Sequence, residues 1–419
     1  MGGGSELYTF ENSMDLISRA AKVIPGAIYG HESPTILIPG SHPFYTESAK
    51  GCRYTDIDGN TFIDYICGYG PMILGYQNPA VEAAAAEQLA KVDCSNHPGP
   101  VMVELAEELV QTVPIAEWAL FGKNGGDMTT YATLTARAHT NRKKIVTVAG
   151  HYHGVAPWCT SLGHGGITAE DHANILQVKW NDLEGFEALV KKHKGEIAGF
   201  IAMPYHHITF ENQIMPAPGY WQGIEKICRA EGIVLILDDV RCGFRLNIGG
   251  SNEYFGFKPD LICFSKALGN CYPISACVGT KEMMNAASKV FFTGSFWFAA
   301  VPMAAAVACL KEMKRINSVA KIDKAGTRLM SGLKEMGGRM GIDITVSGHP
   351  GLPYMTFTDD PNLYAMQIFC AEVTRRGSFF HPHHNWFVSA AHEDADIDES
   401  LNHAEEGFKA LKKQFSFKK

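Results

Sequence analysis

The chain has 419 residues, of which 46% are hydrophobic and 19% are charged, so it can bury a large core and is not disordered. Its net charge of −7 disfavours nucleic acid or an anionic membrane as the main partner, and no apolar run reaches the roughly 18 residues of a membrane span. The eleven cysteines are scattered without a C-x-x-C pair, which predicts buried thiols in a reducing cytoplasm rather than disulfides or zinc ligands.

The first 65 residues predict an N-terminal arm and part of a small domain. Segment 53–65 reads RYTDIDGNTFIDY, and its Asp-Gly pair between two alternating runs predicts a β-hairpin. Two helical patterns follow at 81–92 and 101–113. Between about 115 and 310, short apolar runs alternate with helical stretches, which predicts βαβ units and a mostly parallel sheet covered by helices on both faces. The strands are predicted at 118–122, 144–150, 175–179, 197–204, 233–239, 261–265 and 276–280.

The domain prediction is therefore an arm over 1–65, a large domain over 66–318 and a C-terminal small domain over 319–419. In the last of these, a helix at 325–337 precedes two strands at 343–348 and 352–358. Another helix follows, and a final helix is expected from Glu399 onward. This order is typical of a smaller α+β domain.

Two apolar runs of the large domain stop abruptly at polar residues. The first ends at Asp238 and the second is followed by Lys266. Because parallel strands deliver functional groups to their common C-terminal edge, this pattern predicts a carboxylate and a lysine at one site. Pyridoxal phosphate requires such a pair, a lysine to hold its aldehyde and an acid to partner its pyridine nitrogen. The alternative is a surface lysine and a helix-capping aspartate.

Three further segments carry candidate ligands for such a cofactor. The Gly-rich turn 123–126 precedes a helix and suits a phosphate, although a plain tight turn remains the alternative. Tyr152 and His153 follow a predicted strand, where an aromatic ring can lie on a planar cofactor. Thr293 and Ser295 offer hydroxyl groups near another predicted helix start. They could instead form a simple turn.

A group of histidines at His381, His383 and His384 has a spacing that invites a metal interpretation. No carboxylate or cysteine lies at ligand spacing beside them, so no metal site is predicted. Clustered histidines are also ordinary at the polar rim of an active site.

The order of several motifs resembles that of one enzyme family. These are GYGPMILG at 68–75, KNGGD at 123–127, HYHG at 151–154, ILDDVRCGFR at 236–245 and FSKALGN at 264–270. Together they resemble the class III (subgroup II) aminotransferases, and most closely the branch similar to glutamate-1-semialdehyde 2,1-aminomutase. The resemblance runs from about residue 24 to the C-terminus. It implies the α/β fold type I of pyridoxal-phosphate-dependent transferases, with a large and a small domain, in a homodimer with shared active sites.

The resemblance also implies a role for individual residues. Lys266 would form the Schiff base with the cofactor and shuttle a proton during amino transfer. Asp238 would partner the pyridine nitrogen, with Tyr152 over the ring and Val240 beneath it.

The remaining cofactor contacts implied by the resemblance surround the phosphate. Asn124, Gly125 and Gly126 match the phosphate-binding turn, and His153 lies beside the cofactor. Ser295 resembles the hydroxyl that reaches the phosphate of the neighbouring subunit's cofactor.

The substrate region departs from the aminomutase pattern. Where that branch carries an SPVR-like string whose arginine binds a carboxylate, this chain reads Glu32-Ser33-Pro34-Thr35-Ile36 without an arginine. Since an arginine fork is the strong recognition device for carboxylates, its loss predicts a different or less acidic substrate, unless Arg241 or Arg245 serves instead. The aromatic residues expected at the substrate pocket are Trp158, Tyr205, Trp297 and Trp386.

The predicted function is an aminotransferase that moves an amino group from an amine or amino acid to a keto or aldehyde acceptor. A pyridoxal-phosphate-dependent isomerase, either an aminomutase or a racemase, is the alternative. A nicotinamide-binding enzyme is disfavoured because no G-x-G-x-x-G string opens the first βα turn. A non-catalytic cofactor-binding protein is disfavoured by the intact Lys266, Asp238 and Tyr152.

Overall fold

A computed structural model describes residues 7–414. Its α-helices are α1 Glu11–Ala20, α2 Pro79–Lys91, α3 Val101–Thr112, α4 Gly125–Thr140, α5 Leu183–Lys192, α6 Tyr220–Glu231, α7 Ser251–Phe255, α8 Lys281–Ala287, α9 Ala300–Ile316, α10 Ser318–Met340, α11 Tyr364–Thr374 and α12 Asp394–Gln414. Its strands are β1 Thr46–Lys50, β2 Arg53–Asp56, β3 Thr61–Asp64, β4 Trp118–Gly122, β5 Lys144–Val148, β6 Ile175–Val178, β7 Ile197–Ala202, β8 Val234–Asp238, β9 Leu261–Phe264, β10 Ser275–Gly279, β11 Ile344–Ser347, β12 Tyr354–Phe357 and β13 Ser378–Phe379.

The larger of two compact units comprises Pro79–His207 and Ile214–Val319. It contains a seven-stranded sheet in the order β4-β10-β9-β8-β7-β5-β6. The pairs along β9-β8-β7-β5-β6 are parallel, whereas β10 runs antiparallel to both of its neighbours. The predicted mostly parallel sheet is therefore confirmed.

The central strands of this sheet are buried on both faces. Every residue of β7, β8 and β9 is buried, which explains why these strands read as continuous apolar runs rather than as alternating ones. Helix α4 packs against this sheet, and its buried side chains include Met128, Tyr131 and Ala136. The packing is close: a Cβ atom added to Gly199 of β7 would lie 3.2 Å from the Cβ of Ala136.

The smaller unit comprises the described residues up to Asn78, the segment Ile208–Gln213 and the described residues from Ala320 onward. Its four-stranded sheet has the order β1-β2-β3-β13, and β11 pairs with β12. Strands β2 and β3 form the predicted hairpin, with Thr55 opposite Thr61 and a positive φ of 85° at Gly59. Helices α11 and α12 pack against each other.

Two helices of this unit differ from the sequence prediction. Helix α12 begins at Asp394, five residues before the predicted Glu399, because acidic residues in its first turn favour the positive end of the helix dipole. Helix α1 was not predicted. Its first amide groups, those of Asn12 and Ser13, donate to the carboxylate of Asp58 at 2.7 and 3.0 Å, so a residue from the hairpin turn caps it.

Within residues 7–414, no helix combines the length and the apolar character needed to cross a bilayer.

Candidate active site

The two residues singled out at strand ends lie at one edge of the large sheet. Asp238 is the last residue of β8, and Lys266 follows β9 by two positions. Strands β8 and β9 are adjacent and parallel, with Asp238 opposite Cys263. Their C-terminal ends therefore meet, and both residues line a cavity of about 520 Å³.

The side chain of Lys266 begins in an unusual backbone conformation and has a perturbed amine. Its φ of +47° lies in the left-handed region, which is uncommon for a residue other than glycine and typical of functional sites. Burial, and after it the positive charges of Arg241 and Arg245, lower the pKa of its amine from 10.5 to about 7, while Asp238 opposes this fall. A large fraction of the amine is thus neutral near pH 7.

Asp238 is fixed by two hydrogen bonds. Its Oδ2 lies 2.7 Å from Nδ1 of His153, and its Oδ1 accepts from the amide of Val240 at 3.2 Å. The His153 side chain is itself buried, and its backbone carbonyl accepts from the hydroxyl of Thr129 at 2.5 Å. The carboxylate is therefore oriented by the protein and remains on the cavity wall, where it can accept one further hydrogen bond.

The predicted phosphate turn lies at the start of α4. The carboxylate of Asp127 accepts from the amides of Lys123 and Asn124 at 3.0 and 2.8 Å, which fixes the turn as a helix cap. The amides of Gly125 and Gly126 occupy the first helical turn, where the backbone N–H groups lack intrahelical acceptors and favour an anion.

Both glycines of this turn are required by close neighbours. A Cβ atom on Gly125 would lie 2.6 Å from Cγ1 of Val240, and one on Gly126 would lie 3.3 Å from Cα of Gly154. Gly154 has a φ of +119°, so the loop after β5 passes close to the helix start in a conformation that only glycine adopts readily. These contacts leave a narrow cradle of backbone beside the cavity.

Two candidate ring contacts also line this cavity. Tyr152 is 58% exposed, and burial of the rest of its ring raises the pKa of its hydroxyl group. Val240 is partly buried and presents its methyl groups to Gly125. An aromatic face and an aliphatic side chain in one wall suit a flat heteroaromatic ring.

The residues present thus fit pyridoxal phosphate. A lysine with a neutral amine, an oriented carboxylate, an aromatic face and a helix start with available amides all line the same cavity. The second acid, Asp239, is fully buried and accepts from the hydroxyl and the amide of Ser251 at 2.5 and 2.8 Å. Its role is to hold the start of α7.

Of the aromatic residues predicted for the substrate pocket, Trp158 and Tyr205 lie next to the cavity rather than on its wall. Trp158 donates from Nε1 to the hydroxyl of Thr130 at 3.0 Å and stacks on His153 with ring centroids 6.3 Å apart. Tyr205 is fully buried and packs edge-on against His207, which lines the cavity, at 4.8 Å. Both side chains therefore support residues of the wall.

The segment after α8 contributes one wall residue that was not predicted. Phe292 lines the cavity, and Trp297 packs on it with ring centroids 4.8 Å apart. Thr293 and Ser295 are exposed and do not line the cavity of this chain. The segment therefore brings the ring of Phe292, supported from behind by Trp297, to this wall in place of the hydroxyl groups.

Trp386 belongs to the smaller unit and was expected at the substrate pocket. Its ring is fully buried, it donates from Nε1 to the carbonyl of His381 at 2.9 Å, and it packs on Phe380 and Tyr354. This expectation is corrected, because an enclosed indole offers no surface to a substrate.

The three neighbouring histidines also make internal contacts. Nδ1 of His381 accepts from the amides of His383 and His384, both at 3.1 Å, and its Nε2 lies 3.0 Å from the carbonyl of His31. Among residues 7–414, no group of three or more metal-ligating side chains is arranged to hold a metal ion.

The site includes one pair that the sequence analysis did not assign. The guanidinium group of Arg241 donates to the carbonyl of His207 at 2.7 Å and lies 3.2 Å from Nδ1 of the same residue. Both residues line the cavity. Arg241 follows the acid of β8 by three positions, which was a usable signal, whereas His207 lies 34 residues away and only the fold brings it close.

Comparisons with known proteins point to one family. The family model described as Aminotransferase class-III matches residues 38–391. Aminopentol aminotransferase of Sphingopyxis macrogoltabida is 40% identical over 402 residues, which is 96% of this chain and 95% of that protein. Glutamate-1-semialdehyde 2,1-aminomutase of Methanosarcina acetivorans is 32% identical and is aligned over 94% of this chain and 97% of that protein.

Solved structures agree with these relatives. The FumI protein of Sphingopyxis sp. MTA144, in a PLP internal aldimine form, superposes with a TM-score of 0.94 at 39% identity, covering 97% of both chains. An omega-transaminase from Sphaerobacter thermophilus superposes with a TM-score of 0.87 at 22% identity, covering 96% of this chain and 98% of that one. The second likeness concerns the fold alone.

Proposed function

This chain belongs to the class-III aminotransferase family and is a pyridoxal-phosphate-dependent aminotransferase, and we propose that the cavity at the edge of its large sheet is the active site. The observation that carries this proposal is that Lys266, Asp238, Tyr152 and the start of α4 line one cavity. When bound, pyridoxal phosphate offers an aldehyde to amines and withdraws electrons from the carbon that loses a proton.

In this proposal Lys266 is the catalytic base. Its amine is the nucleophile that holds the cofactor before the donor arrives. Once displaced, its neutral Nζ takes the proton from the amino-bearing carbon of the substrate, which requires an amine with a pKa near the working pH. The fall of the pKa to about 7, caused by burial and two nearby guanidinium groups, suits that task.

The other wall residues bind and orient. The carboxylate of Asp238, held by His153, would keep a proton on the pyridine nitrogen. Tyr152 and Val240 would contact the ring, and the first-turn amides of α4 would bind the phosphate group. All of these groups line one cavity, and fixed groups of this kind limit the reorganisation needed during the reaction.

We further propose that the amino donor carries no carboxylate on its amino-bearing carbon. Among the residues that line the cavity, the cationic side chains are Lys266 and Arg241, and the guanidinium of Arg241 already binds the carbonyl of His207. Tyr152, Val155 and Phe292 give the wall an apolar character. The segment 32–36, which resembles the carboxylate-binding string of the aminomutases, contains no arginine. A relative at 40% identity is named an aminopentol aminotransferase.

A matched donor pair tests this proposal. The holoenzyme is incubated without an acceptor and with either 1-phenylethylamine or phenylglycine, which differ by a methyl group against a carboxylate, and the loss of the visible absorbance of the bound cofactor gives kcat/KM for the donor half-reaction. We expect kcat/KM to be at least about tenfold higher for the amine, because a buried carboxylate without a cationic partner is costly. A preference for phenylglycine would overturn the proposed donor class. No turnover of any donor, or unchanged turnover in Lys266→Ala, would overturn the site assignment.

The isomerase alternative has its own outcome in the same experiment. Relatives at 32% identity are named glutamate-1-semialdehyde 2,1-aminomutases. An aminomutase keeps the amino group on its substrate, so glutamate 1-semialdehyde would be consumed without any added acceptor. We expect no such consumption.

We propose that the enzyme is a homodimer in which Ser295 reaches the partner's site. Ser295 is exposed within a segment whose Phe291 and Phe296 are 91% and 67% exposed, and Phe298 is exposed nearby. Exposed aromatic side chains in one short segment favour a covered surface in the assembled protein. Sedimentation should give a dimer, and Phe296→Asp should shift it toward the monomer.

We also propose that the enzyme works in the cytoplasm. The structure places most of its cysteines in the interior, and Cys94 and Cys271 are exposed. Buried thiols behave as small apolar side chains, and exposed ones persist where glutathione keeps them reduced. Thiol titration of the denatured protein, purified without reductant, should give eleven thiols per chain.

A further inference from the structure

Two histidines of the HYH motif lie behind Asp238, and each has one ring nitrogen without a hydrogen-bond partner among the described residues. His153 is 2% exposed, and its Nδ1 bonds the carboxylate of Asp238 at 2.7 Å. A carboxylate can only accept, so His153 donates from Nδ1, and in the singly protonated ring the lone pair is on Nε2. That nitrogen is buried and has no hydrogen-bond partner among residues 7–414.

His151 has the opposite arrangement. It is 9% exposed, and its Nδ1 accepts from the amide of Met203 at 3.1 Å, so the proton of the neutral ring is on Nε2. Burial lowers the pKa of the ring well below 6.5, with help from the neighbouring histidines, and keeps it neutral. Its Nε2–H is a buried donor that meets no acceptor in the described chain.

The Nε2–H of His151 is a donor and the Nε2 of His153 is an acceptor, but the two rings are too far apart for a direct hydrogen bond. The ring centroids of His151 and His153 lie 6.1 Å apart, with the ring planes at 69°. A ring nitrogen lies about 1.2 Å from its centroid and a hydrogen bond spans about 3 Å, so a direct bond would bring the centroids within about 5.4 Å. The separation therefore exceeds a direct bond and lies within the span of one bridging water, since buried waters satisfy such groups.

We propose that one ordered water accepts from Nε2–H of His151 and donates to Nε2 of His153, which makes His151 a positioning residue for Asp238. The bridge fixes His153 in the tautomer that donates to the carboxylate. In the other tautomer, the lone pair of Nδ1 would face the negative charge of Asp238 and the hydrogen bond would be lost. The relevance to catalysis rests on the proposed role of Asp238, whereas the bridge itself concerns only this chain's residues.

The first test compares two substitutions at one position. His151→Gln retains an amide N–H that can reach the position of Nε2, whereas His151→Phe retains the planar bulk without a donor. In the holoenzyme, ¹⁵N spectra of labelled histidine should show His153, assigned with His153→Gln, as a single Nδ1–H tautomer in the wild type and in His151→Gln. His151→Phe should shift the Nε2 resonance of His153, because that nitrogen loses the donor of its hydrogen bond. An unchanged His153 in His151→Phe would overturn the proposal.

The second readout is the affinity for pyridoxal phosphate, measured by equilibrium dialysis. We expect the dissociation constant to rise about three- to tenfold in His151→Phe, the worth of one hydrogen bond, and less than about twofold in His151→Gln. An equal loss of cofactor affinity in both variants would mean that the His151 ring contributes packing and does not position His153. That result would refute the proposal. If the wild type binds no cofactor, the proposed function is wrong. The ¹⁵N spectra of the apoprotein would still show whether the water bridge exists.

A structure of the wild-type enzyme that resolves ordered water decides the geometry directly. We expect one water within hydrogen-bond distance of both Nε2 atoms. The competing arrangement points Nε2–H of His151 at the ring of Trp180, whose centroid lies 5.5 Å away at an interplanar angle of 42°. That arrangement without a bridging water would overturn the inference, even if His151→Phe fails to fold.

Discussion

The lowered pKa of Lys266 makes a quantitative prediction about cofactor capture. The amine must be neutral to react, and its pKa falls from 10.5 to about 7 because the side chain is buried beside Arg241 and Arg245. At pH 7 about half of the amine is then neutral, against roughly 0.03% for an ordinary lysine, which is an advantage of about three orders of magnitude. The neutral fraction of this base increases as the pH rises through 7 and is nearly complete above about pH 8.

The assay is the rate at which the apoenzyme captures pyridoxal phosphate, followed by visible absorbance between pH 5.5 and 9.5. The rate should climb tenfold per pH unit below 7 and level off above about 8. Nα-acetyllysine, measured in parallel, corrects for titration of the cofactor itself. A capture rate that still climbs tenfold per unit at pH 9 would refute the argument from burial and charge.

A charge substitution separates the effect of neighbouring charges on the pKa of Lys266 from the effect of burial. Arg241→Gln removes a positive charge that disfavours the ammonium form of Lys266, so the midpoint of the capture profile should move to higher pH, by about one unit. Arg315→Gln is the matched control, since Arg315 is exposed and pairs with Glu312 at the surface. That variant changes the net charge equally and should leave the midpoint in place.

Three further substitutions test the walls of the site. Gly125→Ala should weaken cofactor binding at least tenfold, because its Cβ would lie 2.6 Å from Val240, and the added Val240→Ala should restore much of the affinity in a dialysis measurement. Gly154→Ala should lower the free energy of unfolding by about 1–3 kcal/mol in a urea titration, because φ is +119° and the new Cβ would lie 2.6 Å from Cα of Gly126. An unchanged urea midpoint would contradict this. Asp238→Asn should lower kcat at least a hundredfold with intact folding by circular dichroism, because an amide does not hold a proton on the pyridine nitrogen; a tenfold loss or less would count against that role.

The large sheet and its two polar strand ends could be predicted from the sequence because their signals are local. A strand buried on both faces reads as an apolar run, and Asp238 and Lys266 stand where two such runs stop. The turn at Gly125 and Gly126 could also be predicted, since a glycine turn before a helix is a local pattern. In each case neighbouring residues in the chain carried the information.

The features that could not be predicted depend on contacts between residues that are distant in the sequence. The cap of α1 comes from Asp58, 46 residues after Asn12, and no local pattern reveals it. Trp386 was expected to meet a substrate, but its burial against Phe380 and Tyr354 is decided by the packing of the smaller unit. Likewise, the partner of Arg241 lies 34 residues away in the chain.

The reversed direction of β10 bears on how the protein folds. Strands β9 and β10 are antiparallel neighbours joined by only residues 265–274, so the segment that carries Lys266 can form by local hairpin-like pairing. Asp238 reaches the same edge only when β8 pairs in parallel with β9, across a longer connection with a greater closure entropy. We therefore expect the cofactor site to be completed late, after the central parallel strands have docked. In that order of events, pyridoxal phosphate would stabilise the finished fold rather than act as its template, and its uptake would report the formation of the native state.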